Sequence, residues 1–241
     1  NRLDAQLVIE FDNDELLDYR ARRPSMFFEK DHLSSYEPPL LGIYLVRDEA
    51  GIPFLFLHGY EPDFRWEAFA SAIEEVVDEF AISEFIWVHS IPFPVPHTRP
   101  VGITVSGNRK DLVERYSEWR PETQVPGNVV HLLEYRLTEA ELPVAGFVLL
   151  VPHYLNDSDY PTAAVTGFEL LTAATGLVFP TDQLRELLLE RQLVDRCPSS
   201  RCCIRVRVAS PFTKTMHSRQ GLRTCPPPRD VQSRNWSQSR E

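Results

Sequence analysis

The sequence predicts an α/β fold built around a mixed sheet, and three observations carry that prediction. Residues 40–46 and 53–57 are strongly apolar strands separated by the turn Asp48-Glu49-Ala50-Gly51, short enough to make them an antiparallel hairpin. Residues 53–91 read strand, helix, strand, a length that suits a parallel right-handed crossover. Residues 144–151, VAGFVLLV, form a continuous apolar run of the length expected of a central strand covered on both faces.

The remaining elements follow in order. Residues 7–11 are a short strand candidate, and Asp12, Asn13 and Asp14 offer N-caps for a brief helix through Leu16, Leu17 and Tyr19. Residues 20–39 hold charges, three prolines and no period, so an exposed excursion is expected there. The clearest helix spans 64–80. Trp66, Phe69, Ala70, Ile73, Val76, Val77 and Phe80 recur at threes and fours, with Glu67, Glu74, Glu75, Asp78 and Glu79 on the wet side. Residues 84–91 alternate as a buried strand. Pro92, Pro94, Pro96 and Pro100 then remove four backbone donors and fix φ at each, which stiffens the loop without any ladder. Residues 101–105 resume the β pattern until Ser106-Gly107-Asn108. A short helix is expected at 110–119 and a loop at 121–127, followed by a helix capped by Asn128 and running through Leu133, Leu137 and Ala140. Pro161 opens a further helix that Gly176 ends. Thr181 caps the last one, with Leu184, Leu187 and Leu188 inward and Arg185 and Leu189 outward.

Composition narrows the function classes. A hydrophobic content of 43% with 11% aromatics suits a globular protein with a sizeable core. No apolar run approaches the roughly 18–20 residues that cross a bilayer, and no basic n-region precedes an apolar stretch at the start. Residues 196–241 carry a net charge of +8, which leaves −18 on residues 1–195. An acidic body argues against nucleic acid or an anionic membrane as partner. All four cysteines (Cys197, Cys202, Cys203 and Cys225) lie in the basic tail, so the body suits a reducing, cytoplasmic setting. Their spacing matches no zinc pattern. The expected organisation is a single α/β domain over 1–195 and an irregular Arg/Ser/Cys/Pro-rich tail over 196–241, either disordered or an out-of-frame reading.

Candidate chemistry clusters at strand ends. His58, Gly59, Glu61 and Asp63 lie between a strand end and the start of the amphipathic helix, with Trp66 in its first turn; in open α/β sheets ligands bind outside the carboxyl ends of strands. Glu61 and Asp63 are equally ordinary capping chemistry for that helix. His97, Thr98 and Arg99 ride on the stiff loop, where Arg99 suits a carboxylate or phosphate fork or a tie to an acidic neighbour. Asn108 follows the next strand. His153 and Tyr154 follow the central strand, beside Asn156-Asp157-Ser158, which also reads as an Asx-turn. His58, His89 and His97 with Glu61 and Asp63 would form a metal or acid–base cluster only if two strand ends converge, and their spacing does not demand it. There is no G-x-S-x-G elbow, Walker loop, G-x-G-x-x-G or cysteine in the body. No catalytic residue, metal ligand or cofactor is therefore assigned.

Several strings carry a resemblance: DELLDYRARRP (14–24), YEPPLLGIYLVRD (36–48), FLFLHGYEPDFRWEAF (54–69), IPFPVPHTRPVGITVSGNR (91–109) and VPHYLNDSDYP (151–161). Together they resemble the bacterial branch of the proteasome assembly chaperone 2 family, from about Gln6 to Glu190. The resemblance implies a three-layer α/β sandwich like that of the phosphorylase and hydrolase group, and homo-oligomerisation, with a trimer among the arrangements. It also implies proteasome subunits as a partner class, since eukaryotic and archaeal relatives act as assembly chaperones without nucleotide. Three features depart from the family pattern. The preceding strand, Gly-rich turn and helix are missing, the tail replaces a helical region, and the chain ends Ser239-Arg240-Glu241 in place of a hydrophobic-Tyr-any motif. An N-terminally truncated domain is the expectation.

Two functions are weighed. The favoured one is a non-enzymatic, assembly-chaperone-like binding protein that uses the proline loop and the Gly59–Asp63 corner. The alternative is a small-molecule hydrolase or ligase with a pocket around His58, Glu61, Asp63, His97 and Arg99. The missing nucleophile signatures weigh against the enzyme.

Overall fold

A computed structural model describes residues 3–155 and 159–195 of the chain. The basic tail and the Asx-turn expected at Asn156-Asp157-Ser158 both fall outside the described residues.

The α/β class is found, with eight strands and six α-helices among the described residues. Strands β1 (Ala5–Glu10), β4 (Gly42–Arg47) and β5 (Pro53–His58) make an antiparallel sheet in the order β1-β4-β5. The register pairs Gly42 with His58 and Arg47 with Pro53, so the hairpin expected around Asp48 is present. Strands β6 (Phe85–Phe93), β7 (Gly102–Gly107) and β8 (Val144–Pro152) make a mixed sheet in the order β6-β8-β7, parallel on one side of β8 and antiparallel on the other. β8 is central and covered on both faces, as its unbroken apolar run required.

Helix α2 (Trp66–Glu79) joins β5 to β6, yet the two strands are not neighbours in one sheet. A crossover unites two strands only if their edges meet. Here β6 takes β8 as its parallel neighbour, and β5 ends its own sheet.

Two cores hold these layers. Phe69, Ala70 and Ile73 of α2 pack with Leu133 and Leu137 of α4 (Val129–Glu139) over Leu41 and Ile43 and against Val144. On the other face of the mixed sheet, Ala145, Phe147 and Leu149 meet Leu112 of α3 (Lys110–Tyr116) and Ala163 and Leu170 of α5 (Pro161–Thr175). Successive β8 residues thus feed alternate cores, as the two-residue repeat of a strand dictates. Fully burying side chains of this size contributes about 1.5–3 kcal/mol each.

Other differences are local. Residues 20–39 are exposed as expected, but they form a hairpin, β2 (Ser25–Glu29) with β3 (His32–Glu37). Helix α1 (Asn13–Leu16) ends before Leu17, whose backbone is extended, because only Asp12 caps it and no helical apolar stripe continues it. Strand β6 runs on through Pro92 to Phe93; it is an edge strand among the described residues, the position in a sheet where proline is tolerated. In α6 (Asp182–Asp195), Leu187 lies half in solvent rather than on an inner face.

Candidate recognition surface

The turn after β5 becomes a knot rather than a pocket. His58 ends the strand exposed, stacked on Phe56 with ring centroids 5.5 Å apart and edge-on to Tyr44 at 6.4 Å. Gly59 follows at φ +149°, where a Cβ would overlap the Leu40 carbonyl oxygen, so only glycine fits this close approach. The Glu61 carboxylate accepts the Val129 N–H at 2.9 Å, at the start of α4. Capping chemistry is thus realised, but on a helix 68 residues away rather than on α2. Asn128 completes that helix start through a capping box with His131. Asp63 accepts the Asp18 N–H at 2.8 Å and pairs with Arg22 at 3.1 Å, while Arg22 also donates to the Glu61 carbonyl at 2.6 Å. The Trp66 indole N–H donates to the Pro62 carbonyl at 2.6 Å. Nearby, burial and the Asp63 carboxylate raise the pKa of the Tyr60 hydroxyl, which donates to Asn13 at 2.6 Å.

The proline loop has a different brace. The His97 backbone N–H donates to the Tyr154 hydroxyl oxygen at 2.7 Å, and His97 Nδ1 lies 2.8 Å from the same oxygen. With the backbone donating to the oxygen, the Tyr154 O–H is free to donate to Nδ1. The His153 ring stands edge-on to Tyr154 with centroids 5.5 Å apart. At the loop's entry Phe93 packs on Trp119 at 5.2 Å. Thr98 and Arg99 are exposed, and the Arg99 guanidinium has no hydrogen bond or ion pair among the described residues.

The structure therefore brings His97, His153 and Tyr154 together and gathers Glu61, Asp63, Gly59 and Trp66 elsewhere. No described hydrogen bond or ion pair joins the two groups. Asn108 belongs to neither: it donates to the Leu142 carbonyl at 2.7 Å and accepts the Val144 N–H at 2.8 Å, tying the end of β7 to the start of β8. Among the described residues, no group of three or more His, Cys, Asp or Glu is arranged to hold a metal ion. A groove of about 770 Å³ opens between α2 and α4, lined by Glu67, Glu74, Asp78, Arg136 and Glu139, and none of the candidate residues lines it.

One polar cluster escaped the sequence reading. Glu134 accepts from the Trp87 indole N–H at 2.8 Å and from the Ser106 hydroxyl at 2.7 Å. The His131 ring stands edge-on to Trp87 at 5.4 Å, and His89 lies 6.4 Å from the same indole. Burial, and then the neighbouring His131, lowers the pKa of His89. The available signal was His131-x-x-Glu134, a spacing that sets two polar side chains on one helix face.

At the level of class, this is an α/β protein with helices on both faces of a mixed sheet and an exposed, tyrosine-braced loop at the strand ends. The chain belongs to the PAC2 family, whose pattern matches residues 1–191. A Mycobacterium tuberculosis protein of unknown function is 40% identical, with a TM-score of 0.74 over 80% of this chain and 67% of that one. A protein of unknown function from Corynebacterium glutamicum ATCC 13032 is 35% identical, with a TM-score of 0.74 over 82% of this chain and 75% of that one. The Mycobacterium tuberculosis proteasome-assembly chaperone homologue shares the fold at 19% identity, with a TM-score of 0.71 over 81% of this chain and 84% of that one. No curated protein matches the chain.

Proposed function

We propose that this protein is a non-enzymatic, cytoplasmic binding protein of the assembly-chaperone type, with proteasome subunits as its partner class. The observation that carries the reading is the double contact of His97 with the Tyr154 hydroxyl, which pre-forms an exposed loop and leaves Arg99 free to pair with a partner's carboxylate. Pre-ordering lowers the entropy lost on docking, and proline at residues 94, 96 and 100 lowers it further. The partner class is supported by relatives of the same fold. One is named a proteasome-assembly chaperone homologue, and a Pyrococcus furiosus protein is named an archaeal proteasome activator. The hydrolase or ligase alternative gains no support from the Glu61 and Asp63 carboxylates, which are engaged with Val129, Asp18 and Arg22.

The test is sedimentation of the purified chain with proteasome α and β subunits from its own source. Binding that Arg99→Glu weakens about tenfold or more supports the reading. Failure of the wild-type chain to bind either subunit type overturns it.

A further inference from the structure

The groove of about 770 Å³ between α2 and α4 takes no part in the recognition surface described above. Val77, Ile82, Leu137 and Leu142 give it an apolar floor, and charge sits along its rim. Arg136 is consumed there: it donates to both Glu67 carboxylate oxygens at 3.1 and 2.9 Å and to Glu139 at 2.9 Å. Glu74 and Asp78 line the same groove, and neither side chain has a hydrogen bond or ion pair among the described residues. The lining as a whole carries a net charge of −3.

Two local rules are broken here with no compensation from the described residues. Glu74 and Asp78 lie one helical turn apart, where like charges destabilise a helix. With Glu75 and Glu79 they also crowd the C-terminal half of α2, whose last turn holds no basic residue, so they oppose the helix dipole. Glu75 and Glu79 are exposed and lie outside the groove, where water relieves them. The Glu74–Asp78 pair borders a cleft with apolar walls, which concentrates its field. Unfavourable local charge kept beside a concave apolar surface marks a place for a cation supplied from outside.

We infer that this groove receives an amphipathic helix of a partner protein that carries two Arg or Lys residues one turn apart. That spacing matches Glu74 and Asp78, and the floor takes the apolar side chains between them. A helix fits better than an extended segment, because both walls are helices whose backbone groups are already paired and offer no ladder to join. Small side chains at Ala70, Ser71 and Ala140 let a third helix approach closely. From Glu67 to Asp78 the α2 wall runs about 16 Å, or three turns. This inference goes beyond the partner-binding reading: it uses a different surface, and its probe contains no proteasome sequence, so either can fail without the other.

Fluorescence anisotropy of a labelled model helix, added to the full chain at about 0.1 M salt, tests it. The probe is an acetylated, amidated peptide of about 16 residues of Leu, Ala and Gln, with two Arg one turn apart beside its Leu stripe. The wild type is expected to bind it with a Kd of about 10–50 μM. Glu74→Lys combined with Asp78→Lys weakens binding about tenfold or more. Glu75→Lys combined with Glu79→Lys makes the same change of charge outside the groove and weakens binding by less than about threefold. Both variants place bases near the C-terminus of α2, where the dipole favours them, so neither lowers the melting temperature. Ser71→Trp, which fills the groove without altering its charge, weakens binding about tenfold. Equal loss in the two charge-reversed variants, undiminished binding by Ser71→Trp, or a wild type that does not bind the probe at about 1 mM overturns the inference.

Discussion

The Asp48 carboxylate accepts the Val178 N–H at 2.9 Å, joining residues 130 apart in the chain. Its other oxygen accepts the Ala50 and Ile52 N–H groups at 3.0 and 2.7 Å, so one buried side chain closes the β4–β5 turn and anchors the segment after α5. Those donors, Val178 first, hold the Asp48 pKa below the ordinary carboxylate value. A depressed folded pKa contributes stability that is present above the unfolded value and is lost as pH falls through the folded one. Asp48→Ala leaves three backbone donors without their acceptor. We expect its melting temperature at pH 7 to fall by about 5 °C or more. The gap to the wild type should narrow toward pH 3, as thermal unfolding at several pH values will report.

Gly146 lies under the Trp87 indole, where a Cβ would overlap the ring. The indole is fixed by its hydrogen bond to Glu134 and cannot swing away without breaking it. Gly146→Ala is therefore expected to destabilise the fold by about 1–3 kcal/mol, measured by urea unfolding. Adding Trp87→Leu, which vacates the space, should recover part of the loss despite its own cost. If the double variant is no more stable than the sum of the singles, the two sites are not coupled by this overlap.

What could be read from the sequence was what local patterning writes down. The three-and-four repeat of Trp66, Phe69, Ala70 and Ile73 marked α2, and the unbroken run at 144–151 marked the central strand. The β2–β3 arm was not legible, because its bulge sets Leu33 and Tyr36 three apart and hides the alternation that announces a half-apolar ribbon. Residues of the candidate site were nameable one at a time, but their company was not. Glu61 finds its partner 68 residues on, and His97 finds Tyr154 57 residues on. The separation of the β1-β4-β5 sheet from β6 likewise depends on which edges meet, and no run of residues encodes that.

Tyr154→Phe removes the oxygen that braces the proline loop while keeping the ring against His97 and His153. Amide exchange at His97 is expected to quicken about tenfold, since that N–H loses its acceptor. Exchange in β8 should not change. If partner docking depends on a pre-formed loop, the same variant weakens binding without altering the melting curve by more than a degree or two. Unchanged exchange at His97 would show that the prolines alone hold the loop.

His89 supplies a pH dependence of the opposite chemical kind but the same sign. Burial, then the charge that His131 carries when protonated, lowers its folded pKa below the ordinary 6.5. The unfolded chain therefore binds more protons at this position, and folding stability rises with pH across the interval from the folded value up to about 6.5. Below that interval the wild type folds with a charge that the Trp87–His131 surroundings disfavour. His89→Gln cannot acquire that charge. Compared with the wild type, it should gain ground as pH drops from 7.5 to 5, whatever the constant cost of the changed packing. Chemical unfolding at the two pH values reads the difference directly. A wild-type-minus-variant gap that is the same at both would mean that His89 titrates alike in the folded and unfolded chains, and that its place beside Trp87, whose ring also meets His131, has no electrostatic consequence.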